Sequence, residues 1–272
     1  MFGQFFWRLR PWCAGRRSAR FGLMSIDIQH IDGRTLFSAP EARTVREAVE
    51  AAARGAVNLA GAQLDGADLS HANLEEVRLP GASLAGARLR NANLEEADLA
   101  GANLAGAQLD GANLEEVDLA GARLAGAALG GANLEEASLQ GADLSRATAE
   151  GANFEQADLR DAILAGAALR RANLEKCNLA GVQAQGASFA AANLEKCDLH
   201  GADLSNADLS GANLERCDFR SANLSGADLS EANLERCDIQ DARLDGARLE
   251  GANLERIRGQ PATKPPAAGP YR

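Results

Sequence analysis

Histidine is scarce in this sequence, and with it the pairings that catalysis needs. The three histidines among 272 residues, His30, His71 and His200, lie far apart, and no nucleophile is spaced to use one as its base. No glycine-rich phosphate loop and no zinc-ligand spacing occurs. No apolar run is long enough to span a membrane as a helix. Aromatic residues make up 4% of the chain, and both tryptophans, Trp7 and Trp12, fall before residue 23. The expectation from these absences is a protein that is not an enzyme and that holds no metal or cofactor.

What the sequence has instead is repetition. Ala-Asn-Leu-Glu, once Ala-Asn-Phe-Glu, begins at Ala72, Ala92, Ala112, Ala132, Ala152, Ala172, Ala192, Ala212, Ala232 and Ala252. Inside that twenty-residue beat runs a shorter one, with a large residue, usually Leu, at every fifth position from Leu59 to Leu254 and a small residue two places before it. On an α-helix, positions five apart differ by roughly 140°, so these leucines would spiral around the rod. On a continuous strand an odd step would send them to alternate faces. They share one axis only if the chain bends after each pentad. Four bends then close one coil, and the coils stack at ~4.8 Å as a square-sectioned parallel β-solenoid.

The Ala-(Asn/Asp)-Leu-x-x unit over residues 57–256 resembles the pentapeptide repeat proteins. The resemblance implies an all-β, right-handed quadrilateral parallel β-helix of about ten coils, with the central residue and the one two before it facing inward. It also implies an N-terminal hairpin and helix as a cap.

Four segments are expected. Residues 1–23 form a basic, aromatic leader with five arginines and no acid. A membrane-touching or targeting role is one reading of it, and a disordered tail or mis-assigned start is the favoured one, since Met24 opens a sensible domain. Residues 24–56 read as the cap. Ile26, Ile28 and Ile31 precede an Asp32-Gly33 turn, and Thr44-x-x-Glu47 forms a capping box opening a helix that carries Val45, Val49 and Ala52 on one face and stops at Gly55. The solenoid occupies 57–257, and a Pro/Gly/Ala-rich irregular tail 258–272.

Two features of the core stand out. Central Ala149 is followed by central Phe154, and Ala184 by Phe189, as if volume were matched within a coil. Cys177, Cys197, Cys217 and Cys237 fall at one inward position in successive coils. A straight column at that spacing suits neither disulfides nor tetrahedral zinc, so they read as small buried hydrophobes. Reduced cysteines fit a cytoplasmic home.

Function is expected on the surface. Glu75 and its nine equivalents to Glu255 form one outward column. The next position reads Glu76, Glu96, Glu116, Glu136, Gln156, then Lys176, Lys196, Arg216, Arg236 and Arg256. The candidate interaction face is therefore Glu75, Glu76, Glu95, Glu96, Asp98, Glu115, Glu116, Asp118, Glu135 and Glu136. Residues 57–256 hold 16 Lys+Arg against 33 Asp+Glu, which disfavours direct nucleic-acid binding by the rod. Two readings remain open: a protein-interaction scaffold whose partner is unknown, and, from the family resemblance, a DNA-mimicking modulator of DNA gyrase or another type II topoisomerase. An acidic face on a solenoid also serves plain solubility. The last coil offers an open edge for a homodimer.

Overall fold

The computed structural model describes residues 25–263. β1 (Ile26–Gln29) and β2 (Thr35–Ala39) form an antiparallel hairpin, with Ile26 opposite Ala39 and Ile28 opposite Phe37. Asp32 shapes its turn by accepting the Arg34 backbone N–H at 3.1 Å. α1 (Val45–Arg54) starts at Thr44, whose hydroxyl accepts the Glu47 N–H at 3.1 Å. The returning bond of the capping box lands one residue early: Glu47 Oε2 accepts from the Arg43 N–H at 2.6 Å. The helix buries Ala48, Val49 and Ala52, while Val45 is only half-buried. The helix stops where expected, with Gly55 as its C-cap at φ −86°, and Ala56 after it takes the left-handed conformation at φ 48°.

From Asn58 onward every coil has the same backbone economy, and the pentad motif follows from it. Parallel bridges join residues twenty apart, one per face and coil, from Asn58–Arg78 to Asp238–Arg258. The N–H of central Leu94 donates forward to the Asn113 carbonyl at 2.7 Å, and the N–H of Asn93 donates back to Ala72 at 2.9 Å. At the corner, Glu96 N–H donates forward to Glu115 at 3.0 Å, and Ala97 N–H closes the turn on Leu94 at 3.0 Å. The fifth N–H, that of Glu95, is taken by the Asn93 side chain at 3.4 Å. An Asn or Asp before the central residue thus satisfies the one backbone donor that neither neighbouring coil reaches.

Central residues and the small residues two before them fill the axis. Leu94, Leu114 and Phe154 have essentially no exposed surface, and no polar or charged residue is buried among those described. Ala149 and Phe154 lie buried on adjacent sides of one coil, as do Ala184 and Phe189. Phe219 is equally buried, yet its central neighbours Leu214 and Leu224 are full-sized. A small central neighbour thus accompanies two of the three array phenylalanines and not the third.

The cap closes the first coil through backbone and side chain. Ile31 N–H donates to the Gly61 carbonyl at 2.9 Å, and Gln63 N–H to that of Gln29 at 2.7 Å. Arg46 reaches the Ser70 carbonyl at 3.1 Å, and Glu50 accepts the Asn73 N–H at 3.2 Å. At the other end the winding runs past the expected boundary at 257. Arg258 N–H donates to Cys237 at 2.9 Å, Ala262 N–H to Ala242 at 2.8 Å, and Thr263 Oγ1 accepts from Leu244 N–H at 2.9 Å. The expected irregular tail is thus coil-bound through 263, because the open carbonyls and N–H groups at the edge of the last full coil recruit it. The leader expected over residues 1–23 and the tail beyond Thr263 lie outside the described residues.

Candidate interaction face

Each coil has four sides and four corners, and one corner differs from the rest. Every corner places a residue in the left-handed region. At three of them glycine fills twenty of the thirty positions in the array; at the corner following the Asn73–Asn253 side it fills none. There the left-handed residues are Glu76, Glu96, Glu116, Glu136, Gln156, Lys176, Lys196, Arg216, Arg236 and Arg256, with φ between 53° and 64°. An L-residue in this conformation costs roughly 1–2 kcal/mol. A long polar side chain has been kept at that cost in every coil of this corner.

The sequence-predicted face lies along this corner. Glu76, Glu96, Glu116 and Glu136 are exposed, whereas Glu95, Glu115 and Glu135 are half-buried. The difference comes from asparagine. Asn113, Asn133 and Asn153 donate through Nδ2 to Oε2 of Glu95, Glu115 and Glu135 at 3.1, 3.1 and 3.2 Å. The same Nδ2 groups bond Oδ1 of the asparagine in the coil before, and this ladder runs from Asn253 back to Asn73. The ladder was not anticipated from sequence, although ten asparagines at one register were there to signal it. Among the described residues Glu76, Glu96, Glu116 and Glu136 have no ion-pair or hydrogen-bond partner for their carboxylates. Asp98 and Asp118 lie around the corner on the next side, each turned back to accept a backbone N–H, from Ala100 at 3.2 Å and Ala120 at 2.9 Å.

Beyond Gln156 the cations change the pairing. Lys176 Nζ sits 3.0 Å from Glu155 and 3.2 Å from Glu175, and Lys196 sits 2.7 Å from Glu195 and 3.5 Å from Glu175. Arg236 bridges Glu215 and Glu235 in the same way, at 3.3 and 3.6 Å. The Lys176 and Lys196 ammonium groups hold the Glu175 carboxyl below its ordinary range, while hydrogen bonds to Glu155 and Glu195 raise Lys176 and Lys196 respectively. The corner is therefore a run of unpaired carboxylates followed by a run of zwitterionic pairs.

A family model described as pentapeptide repeats (8 copies) matches in successive segments, from residues 58–95 to 217–256. The chain belongs to the pentapeptide repeat family. The fold of that family is the right-handed quadrilateral β-helix. Solved structures similar to this pentapeptide repeat protein include HetL, a pentapeptide repeat protein involved in heterocyst differentiation regulation from the cyanobacterium Nostoc sp. strain PCC 7120. It is 36% identical over 74% of this chain and 86% of its own, with a TM-score of 0.38. QnrB1, a plasmid-mediated fluoroquinolone resistance protein, is 21% identical over 60% of this chain and 84% of its own, with a TM-score of 0.46. A pentapeptide repeat protein from the Arabidopsis thaliana thylakoid lumen is 28% identical over 43% and 65%, with a TM-score of 0.24. No protein of curated function matches the chain.

The remaining candidates for chemistry are dispersed by the fold. His30 belongs to the cap, and His71 and His200 stand at different corners. The four array cysteines are buried and free. Each Sγ donates to a carbonyl of the coil before it: Cys177 to Phe154 at 2.8 Å, Cys197 to Leu174 at 2.9 Å, Cys217 to Leu194 at 3.0 Å and Cys237 to Leu214 at 2.9 Å. Burial pushes the Cys197 and Cys217 thiols well up; the cysteine of the coil before adds to the rise and that of the coil after opposes it. They are protonated structural donors. Among the described residues no group of His, Cys, Asp and Glu is arranged to hold a metal, and no helix is long and apolar enough to cross a membrane.

Proposed function

We propose that this pentapeptide repeat protein is a non-catalytic, cytoplasmic scaffold that acts by protein contact, and that its docking face is the corner carrying Glu76, Glu96, Glu116 and Glu136. The carrying observation is the contrast along that corner. The later cations are matched to glutamates within their own chain, while four strained, exposed carboxylates are left to face outward. Glu75, Glu95, Glu115 and Glu135 back them as a second, partly engaged row, with Asp98 and Asp118 at the flank. The partner that fits is a protein surface rich in lysine or arginine.

The test compares proximity labelling by the wild-type chain with that of a Glu76→Gln, Glu96→Gln, Glu116→Gln, Glu136→Gln variant. The variant keeps every backbone bond and the Asn contacts. The reading expects a discrete set of neighbours that the variant loses; identical labelling by both would refute it.

A second reading, modulation of a type II topoisomerase by resemblance to DNA, draws on the surplus of 33 acidic over 16 basic residues in residues 57–256. Against it, the acidic corner ends at Gln156 and the cations beyond it break the negative ribbon. A gyrase supercoiling assay with and without the protein decides: no change in supercoiling, inhibition or drug protection removes this reading. A homodimer through the last coil would lengthen the rod under either reading, and residues 258–263 already occupy part of that end.

A further inference from the structure

The order of residues along the exposed corner is antisymmetric about its own midpoint. From the cap end the column reads four carboxylates, then Gln156, then Lys176, then four cations, so the four outer pairs of mirror positions carry opposite charges. We propose that this corner is a self-complementary interface, along which two copies of the chain pair side by side and antiparallel. In that register Glu76 of one copy meets Arg256 of the other, Glu96 meets Arg236, Glu116 meets Arg216 and Glu136 meets Lys196. Gln156 and Lys176 straddle the two-fold axis.

Three observations converge on this register. Because every coil adds the same twenty residues and one strand spacing, positions that mirror each other in sequence mirror each other along the rod, without any loop to break the match. The side chains that would meet are the left-handed corner residues, which project from the apex of the turn; nine of these ten are exposed and Arg236 is half-buried. The carboxylates in the first half lack partners, and the later cations, though paired with glutamates of their own chain, keep side chains between 35% and 62% exposed for a second partner. A parallel register would oppose Glu76 to Glu76 and is excluded by like charge. Isologous pairing is also the commonest symmetry for identical subunits.

With no apolar anchor, such a pair is held by rim-like charge contacts and exchanges readily. Partner recognition by the scaffold and this self-pairing share one corner, so the dimer is a closed form in which the acidic run is masked. A strictly monomeric chain would refute the pairing and leave the scaffold reading untouched.

The experiment introduces one corner cysteine at a time into the full chain, in a Cys13→Ser background that keeps the four buried array cysteines, and probes it with a short bismaleimide. Gln156→Cys places its thiol one coil, ~4.8 Å along the rod, from its counterpart and is expected to cross-link to itself. Glu76→Cys lies about 43 Å from its own counterpart, nine coils away, and is expected to cross-link only when mixed with Arg256→Cys. Self-linking of Arg256→Cys with none at Gln156→Cys would indicate end-to-end association and overturn the proposal. So would a single monomeric species by sedimentation velocity at several hundred micromolar. Arg216→Glu is expected to weaken the dimer at least about tenfold, since two-fold symmetry counts the change twice. Adding Glu116→Arg in the same chain restores the opposition of charges and should recover association, which a folding defect would not do.

Discussion

Replacing Gly61 with alanine tests how the cap is fixed to the solenoid. Gly61 turns the first corner at φ +67°, and its carbonyl receives the Ile31 N–H at 2.9 Å. A methyl group there would run into Nε2 of His30 and stand 2.6 Å from Cδ2. The ring is not free to yield: its side chain is 18% exposed, and Nδ1 accepts the Asp32 backbone N–H at 3.1 Å. Gly81 is the built-in control, at the same corner one coil on, with φ +64° and open space where its Cβ would lie. Gly81→Ala should carry only the left-handed penalty of about 1–2 kcal/mol. Gly61→Ala should cost about 1–3 kcal/mol more from overpacking. The loss should be local, so amide hydrogen exchange in β1 and β2 is the sharper assay beside urea denaturation, because long repeat arrays need not unfold as one unit. In a His30→Ala background, Gly61→Ala should add no more than Gly81→Ala does. Equal costs for the two glycine variants, with unchanged exchange in the hairpin, would refute the idea that His30 seats the cap on Gly61.

Four other outcomes follow from the same geometry. Glu116→Gly should raise stability by about 0.5–1 kcal/mol in denaturant, relieving the left-handed residue at some cost in chain entropy, and a destabilised variant would contradict the strain argument. Phe154→Leu alone should cost about 1–2 kcal/mol, and Ala149→Leu with Phe154→Leu should recover part of that; the reverse order would end the volume-matching account of this coil. Cys217→Ala should cost about 0.5–1.5 kcal/mol through the lost S–H bond to Leu194, and thiol titration of the denatured chain should find all five cysteines reduced. Glu175 has a lowered folded pKa, so its contribution is present above the unfolded carboxyl value and is lost as pH falls through the folded one. Glu175→Gln should flatten that acid limb, and an unchanged acid titration would argue that the Lys176 and Lys196 contacts contribute nothing.

The architecture was legible because each pentad obeys one rule, and periodicity exposes a rule that holds forty times. Leu59 through Leu254 could be assigned inward from spacing alone, and Thr44 and Glu47 marked the helix start. Details depending on a single local contest were not legible. Glu47 turned to the Arg43 N–H, one residue before the cap. The tail kept winding past Ile257, since its prolines say nothing of the open strand edge beneath them. At the site, the acidic and basic halves were visible in the sequence. The division of labour between the two glutamate rows was not, because it depends on which carboxylate the asparagine Nδ2 reaches.

That asparagine column has a direction. Every amide turns its NH2 end toward the cap and its oxygen toward the last coil, so nine successive bonds add head to tail. The column thus behaves as a small electrical axis built from side chains, with its positive pole among the unpaired glutamates and its negative pole among the lysines and arginines. The change of sign at Gln156 and Lys176 is where such an axis would invite it. Reversing the order of the two charge blocks while keeping their composition should therefore yield a less stable rod, with the same core and the same net charge.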